Sequence, residues 1–510
     1  MPVSQAGALN LTALNVPDLY VQIQEPSVQP MNGLPTNIAG IVGSASWGPK
    51  NAPVTVSDAA DYVKKFGPLM NRKFDAGTAV AVAASQGASN FRVVRVTDGT
   101  DTAASASIGG DVLLFTAKHT GSLGNQLQVS QSAGSAAGTI KLTVSLPGYL
   151  PEAFDNIAPD GAGKFASSIE TAINQGVNAL RGPSALVVAT IGATAEPNAF
   201  SVGTVTLSGG TDGQPASQAA LVGTDIGQRT GMYALRGSGV SVAMLADVTD
   251  STTFTTQAAF GLSEGVYMVA TGPAGETIDA AVATKATAGL DSYAAKLMFG
   301  DWIYWYDPVN KATRLVSPQA FVLGRLANLS PEQSSLNKQL YGIVGTQRSM
   351  QESVYSTAEL SQLVQAGIDV ITNPVPGGAY FGVRIGHNTS SNPITNGDNY
   401  TRMTNFIAFT LNAGMGRFVG KLQTPTVRAQ AKGTLTSFLS NMEEAEMIGN
   451  VNGGPAFSVQ LDDKNNPMSR VALGYMQADV RVTYLSIVEK FLVNLEGSQA
   501  TVVRQSTTNQ

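Results

Sequence analysis

Apolar residues recur along this chain with two different periods, and the changes between them divide it into segments. Near the start the period is two: Leu9, Leu11 and Ala13 alternate with polar neighbours, and Val21 and Ile23 alternate with Tyr20 and Gln22. Alternation of this kind predicts short strands, and Pro17, Pro26, Pro30 and Pro35 exclude a helix through them. An apolar strand at a chain end needs a partner, either an edge of the chain's own sheet or a neighbour's edge. A buried strand is predicted at 38–43. A helix follows, with Ser57 as N-cap, Tyr62, Val63 and Phe66 on one face, and Gly67-Pro68 as its stop. A second helix over 77–88 and a strand over 91–96 complete a strand–helix–helix–strand layer.

From Asp98 to about Ser208 the chain is dominated by Gly, Ala, Ser and Thr. Strands are predicted at 111–117, 126–131 and 141–145, with one helix whose stripe is Phe165, Ile169, Ile173, Val177 and Leu180. After Gly209 the alternating pattern resumes, with strands at 241–245, 266–270, 296–306 and 368–372. Ser356 and Glu359 have capping-box spacing for a helix that Gly367 ends. A long helix is predicted from about Thr401, with Met403, Phe406, Ile407, Thr410 and Leu411 on one side. Another runs over 425–448 through Ala431, Leu435, Phe438, Leu439 and Met442. The remainder reads as β, at 456–461, 478–486 and 489–495. Beyond Gly497 lies a loose end with one β-prone stretch, Thr501, Val502 and Val503. The fold class is therefore α/β (α+β) and multidomain: an α/β core with an inserted mostly-β domain and extended N- and C-terminal β-arms. The segments are an arm and linker (1–35), the first part of the core (36–98), the insertion (99–208), the core continued (209–399), a helix-plus-sheet domain (400–496) and a C-terminal arm (497–510).

Composition adds a constraint. Of 510 residues, 43% are hydrophobic and only 13% are charged, about half the usual charged share. A surface so short of charge suits a subunit covered by other subunits, or a β-rich protein with neutral loops. The net charge of −5 comes with no basic run to track a phosphate backbone, which argues against a nucleic-acid partner. Cysteine is absent, which removes disulfide scaffolds, thiol nucleophiles and Cys-ligated metals. The beginning MPVSQAGALN does not read as a signal peptide and no apolar run reaches bilayer length, so synthesis in the cytosol without membrane insertion is expected.

Little of the sequence points to chemistry. The only two histidines, His119 and His387, fall in Gly/Ser/Thr/Asn-rich loops outside any metal-ligand spacing and read as surface polar residues. No G-x-S-x-G elbow is present. The segment 416–421 (GRFVGK) departs from a phosphate loop in its glycine spacing, in Leu422 where a hydroxyl would hold magnesium, and in following a helix. Asp462, Asp463, Asn465 and Asn466 lack the turn glycine and distal Glu of a calcium loop and read as a polar connection. Glu443, Glu444 and Glu446 read as a solvated or partner-facing acidic patch. Trp302, Tyr304, Trp305 and Tyr306 read as a central strand buried on two faces. No catalytic set, cofactor or metal site is assembled, so the chain reads as structural and not as an enzyme. A secreted β-rich surface or adhesive protein is the alternative that the Ala/Gly/Ser/Thr-rich middle would suit.

Several segments together resemble the contractile tail sheath proteins of bacteriophages and related injection machines. They are 38–49 (IAGIVGSASWGP), 54–67 (VTVSDAADYVKKFG), 91–96 (FRVVRV), 115–131 (FTAKHTGSLGNQLQVSQ), 207–213 (LSGGTDG), 302–308 (WIYWYDP), 316–326 (VSPQAFVLGRL) and the helical-then-β ending over 400–495, including 456–466 (AFSVQLDDKNN). Order and spacing carry the resemblance. The chain departs from it at 417–425 (RFVGKLQTP), where many such proteins read W-V-V-F-E-P-N.

The resemblance implies stacked hexameric rings of this chain around an inner tail tube, with baseplate and tail terminator proteins as further partners, in a virion tail assembled in the bacterial host cytoplasm. Contraction would drive the tube through the host envelope. The arm strands, Leu9, Leu11, Ala13 and Thr501, Val502, Val503, would then pair with a neighbour's C-terminal sheet, represented by Phe457, Val459, Phe491, Val493 and Leu495. The inserted domain would project outward. Four basic residues, Arg417, Lys421, Arg428 and Lys432, lie within about four helical turns' worth of chain and are expected to face the inner tube.

Overall fold

A computed structural model describes residues 3–5, 21–23, 31–177, 181–198 and 200–495. The arm positions Leu9, Leu11, Ala13, Thr501, Val502 and Val503 lie outside the described residues, as does Leu180. At the N-terminus, Val3–Gln5 pairs in parallel with Val21–Ile23.

The core is a six-stranded sheet in the order Ala295–Met298, Tyr267–Thr271, Val242–Leu245, Ala39–Gly43, Phe91–Arg95, Pro53–Val56. The first five strands are parallel and the last is an antiparallel edge. Parallel strands are covered on both faces, so their residues are apolar almost throughout. Ile41, Val93, Met244 and Val269 pack on one face with helices Ala59–Phe66, Ala76–Ser85 and Gln319–Asn328. Their neighbours Val42, Val94, Leu245 and Met268 pack on the other with Leu221, Leu235 and Phe260. The chain is thus α/β and multidomain.

The insertion leaves and rejoins the core through a stalk in which Thr102 and Thr211 exchange backbone hydrogen bonds of 3.1 and 3.2 Å. It holds two sheets: Thr204–Thr206 with Gln128–Ala133, Ile140–Ser145 and Glu152–Ile157, and Ser105–Ile108 with Leu113–Ala117 and Val187–Ile191. Helix Ala166–Gln175 supplies Ile169 and Ile173 to the core between them. Trp47 from the α/β core is also part of that cluster. His119, expected at the surface, is half-buried with its ring 5.2 Å from Trp47 in an edge-to-face contact. Burial, then Arg95 and Lys118, brings its pKa down to about 4. Its polar loop folds into the junction between two domains, which loop composition does not reveal.

Several expected elements shift. The first helix is capped by Asp58, which accepts from Asp61 N, one residue after Ser57. The expected strand 296–306 is two strands in different sheets, Ala295–Met298 and Ile303–Asp307, separated at Gly300-Asp301. Ile303–Asp307 lies between Ala312–Val316 and Ile343–Thr346. Only one of its faces is covered: Trp305 is buried, whereas Tyr306 is exposed. The capping box of Ser356 and Glu359 forms with both of its hydrogen bonds, and Gly367 ends that helix in the left-handed region.

Candidate assembly surface

The C-terminal region is built on two helices, Asp398–Met415 and Pro425–Glu444. The second starts as its sequence dictates, with Thr424 accepting from Val427 N and Pro425 at the first helical position. Its stripe of Ala431, Leu435, Phe438, Leu439 and Met442 is buried. A two-stranded antiparallel sheet, Phe457–Gln460 with Asp479–Val482, lies on these helices. Phe457, Val459, Val480 and Val482 turn inward onto Met403, Ile407 and Phe438, while Ser458, Gln460, Asp479 and Arg481 face solvent.

The sheet register determines where its backbone groups point. Thr483 N donates to Ala456 O at 2.8 Å, so 456 and 483 form a hydrogen-bonded pair. Bonded and non-bonded pairs alternate along an antiparallel ladder. The next bonded pairs are therefore Ser458 with Arg481 and Gln460 with Asp479. The N–H and C=O groups of Phe457 and Val459 project from one outer edge, and those of Val480 and Val482 from the other. Among the described residues neither edge is paired.

Beside the second edge lies a groove of about 590 Å³, lined by Met415, Phe418, Val427, Leu435, Tyr475 and Val480 among others. Exposed apolar side chains gather in this part of the chain: Val419, Leu422, Met468, Leu473 and Tyr475. Scattered exposed apolar residues need no explanation, but a concentration of them marks an interaction surface.

The expected acceptor residues separate. Phe457 and Val459 stand on the open edge just described. Phe491, Val493 and Leu495 do not: 489–495 forms no ladder, and Phe491 and Leu495 are 86% and 91% exposed. The apolar run has the composition of a strand, but among the described residues it pairs with no sheet edge. Phe491, Leu492 and Val493 are instead presented outward in a row.

The four basic residues sit on the same region in different settings. Arg417 donates through Nε to Gly414 O at 2.8 Å, and both Arg417 and Lys421 lie against the Phe418 ring. Arg428 pairs with the exposed Asp463 at 2.8 Å, and Lys432, one turn further on, is exposed. The polar connection 462–466 is structural: the buried Asn466 donates to Gln477 O and accepts from Gln477 N. Glu443, Glu444 and Glu446 are exposed.

The joint between core and C-terminal domain escaped the sequence reading. Lys296, on a core strand, pairs with Asp369 at 2.6 Å and with Asp398, the first residue of helix Asp398–Met415, at 3.0 Å. All three side chains are fully buried. Asp398 also accepts from Tyr267 Oη at 2.5 Å and from the Ser335 hydroxyl. Burial alone would raise its pKa, but the Lys296 charge and these donors hold it below the usual carboxylate range. One turn on, the buried Arg402 donates to Ser330 O and Leu329 O at 2.8 and 2.7 Å. Burial lowers its pKa to about 10. His387, expected at the surface, is buried here: its carbonyl accepts from Lys296 Nζ and its Nε2 lies 2.7 Å from Glu489 Oε1. No spacing rule links residues 296, 369 and 398, so only their burial reveals the set.

Among the described residues no group of His, Asp or Glu is placed to hold a metal, and no helix is long and apolar enough to cross a membrane.

Compared with solved structures, the chain aligns with a sheath tail protein of Listeria innocua. The TM-score is 0.60 at 15% identity, over 85% of this chain and 90% of that one. The chain has the fold of tail sheath proteins. The same sheath fold matches the PVC sheath complex of an extracellular contractile injection system in its contracted state, with a TM-score of 0.55 and 11% identity over 95% and 98% of the two chains. It also matches the contracted helical sheath of the anti-feeding prophage, with a TM-score of 0.55 and 9% identity over 95% and 99%. No protein-family model and no curated sequence matches the chain.

Proposed function

We propose that this chain is the subunit of a contractile tail sheath, polymerising as stacked hexameric rings around an inner tail tube and contracting to drive that tube through a host envelope. The observation that carries the reading is the sheet Phe457–Gln460/Asp479–Val482, two strands wide and open on both edges among the described residues, on a chain with the sheath fold. An incoming strand satisfies an open edge through the backbone and needs little side-chain specificity. The donors are the arms of neighbouring copies: Leu9, Leu11 and Ala13 from one, and Thr501, Val502 and Val503 from another. A contact of this head-to-tail kind propagates as a ring or helix, and several short strands per subunit hold through avidity. The inserted domain faces outward. Arg417, Lys421, Arg428 and Lys432 face the tube, where screened charge contacts release readily. Baseplate and terminator proteins cap the ends of a particle built in the host cytoplasm as part of a virion tail.

The energy of contraction is stored in a kinetically trapped lattice. Rigid cores move while arms bend and their sheets persist. Negative-stain microscopy of the purified chain tests the proposal. Hollow striated tubes are expected; monomers that persist at high concentration would overturn it.

A further inference from the structure

Residues 31–38 form a strap along helix Asp398–Met415 and meet it at every fourth position. Met31 packs against Gly414, Leu34 N donates to Thr410 Oγ1 at 3.2 Å, Gly33 lies over Phe406, and Thr36 O accepts from Arg402 Nη2 at 3.4 Å. Positions 402, 406, 410 and 414 form a single stripe on a helix. Two glycines allow the close approach. A Cβ on Gly33 would stand 2.5 Å from Phe406 Cζ, and one on Gly414 would fall inside the Met31 side chain.

The C-terminal segment is held on another flank of the same helix. Tyr484 packs edge-on against Tyr400 with centroids 5.8 Å apart, and its hydroxyl is 3.2 Å from Thr404 Oγ1. Asn399 donates to Leu485 O at 3.3 Å, and Glu489 reaches His387. Residues 400 and 404 lie two positions before 402 and 406, about 200° around the helix. The strap and Tyr484 therefore grip opposite sides, while Asn399, about 60° from the strap's stripe, holds Leu485 at the start of the helix. The N-terminal chain departs beside Gly414 and the C-terminal chain beyond Glu489, near the opposite end of the helix. From Asn399 to Gly414 the helix rises about 22 Å, at 1.5 Å per residue.

We propose that helix Asp398–Met415 is the fixed spacer between the roots of the two exchanged arms. The strap stays docked on positions 402, 406, 410 and 414 in the assembled state, the N-terminal arm begins upstream of Met31, and the helix length sets how far apart each subunit's donated strands start. The partner is a second copy of this chain, so the inference rests on the sheath reading.

The absence of cysteine makes a direct test possible. Met31 Cβ lies 3.6 Å from the position of a Cβ on Gly414, within the range a disulfide spans. The full-length Met31→Cys/Gly414→Cys chain should assemble, when oxidised, into tubes with the axial repeat of the reduced protein. Tubes from the reduced form alone would show that the strap must peel away, and would overturn the proposal. Gly33→Leu, which drives a side chain into Phe406, should lose tubes or change their repeat while keeping the circular dichroism of the parent. Parental tubes from Gly33→Leu would equally overturn it. A parent chain that forms no tubes in the same buffer counts against the sheath reading itself.

Discussion

The ammonium of Lys296 lies 3.0 Å from a carboxylate oxygen of Asp398, with both side chains wholly removed from water. One residue belongs to the central sheet and the other begins the helix that carries the C-terminal domain. With Asp369 completing the set, this contact joins the body of the molecule to its C-terminal helices. A buried pair gains little over apolar residues of equal volume, but removing one member strands the other.

Lys296→Met should therefore cost about 3–5 kcal/mol of stability, because two carboxylates lose their counter-charge. Urea unfolding monitored by tryptophan fluorescence measures it. A loss below about 1 kcal/mol would show that the joint is not electrostatic.

The same joint predicts a pH window. The folded-state pKa of Asp398 is depressed, so its contribution is complete above the ordinary carboxylate pKa of about 3.9 and is lost as pH falls through the folded value. The pKa of Lys296 is raised, against the effect of burial, by Asp369 and Asp398. Its contribution is complete below the ordinary lysine pKa of about 10.4 and is lost as pH rises through the folded value. Stability measured from pH 2 to 12 should fall at both ends, and Lys296→Met should flatten the alkaline limb.

Proline placed by register should separate folding from assembly. The N–H of Val459 points outward, so Val459→Pro keeps the ladder to 479–482 and blocks an incoming strand. Ser458→Pro removes a ladder hydrogen bond and should lower the melting temperature more. Val459→Pro should give folded subunits without tubes. Normal tubes from it would place the arm elsewhere.

Deleting residues 1–16 or 498–510 should leave a soluble subunit with unchanged unfolding of the core that forms no tubes in the electron microscope. An enzyme or a surface adhesin would keep its function through both deletions.

Of the four basic residues, Lys421 and Lys432 are exposed, whereas Arg428 is engaged by Asp463. Lys421→Glu with Lys432→Glu should impair sheath formation on tubes, more severely at low salt, where charges are less screened. Co-sedimentation with tubes across a salt series reads the effect. Unimpaired assembly would remove these residues from the tube-facing surface.

Local chemistry was legible in the chain itself. Period-two and period-3.6 patterns, proline and glycine stops, and the capping box of Ser356 and Glu359 specify strands and helices because each depends on residues a few positions apart. The compositional change at Asp98 is legible for the same reason, since a segment of small polar residues is a local property. The order of those segments carried the resemblance to sheath proteins. What required the tertiary structure was every relationship between distant positions. The union of Lys296, Asp369 and Asp398, the burial of His119 and His387, the strap's fit to Gly414 and the exposure of Phe491, Val493 and Leu495 belong to that group. An apolar strand looks the same in sequence whether its partner lies in its own chain or in another. Only the packed fold shows that, among the described residues, the strand Phe457–Gln460 has one edge paired with Asp479–Val482 and the other, to which Phe457 and Val459 turn their backbone groups, free.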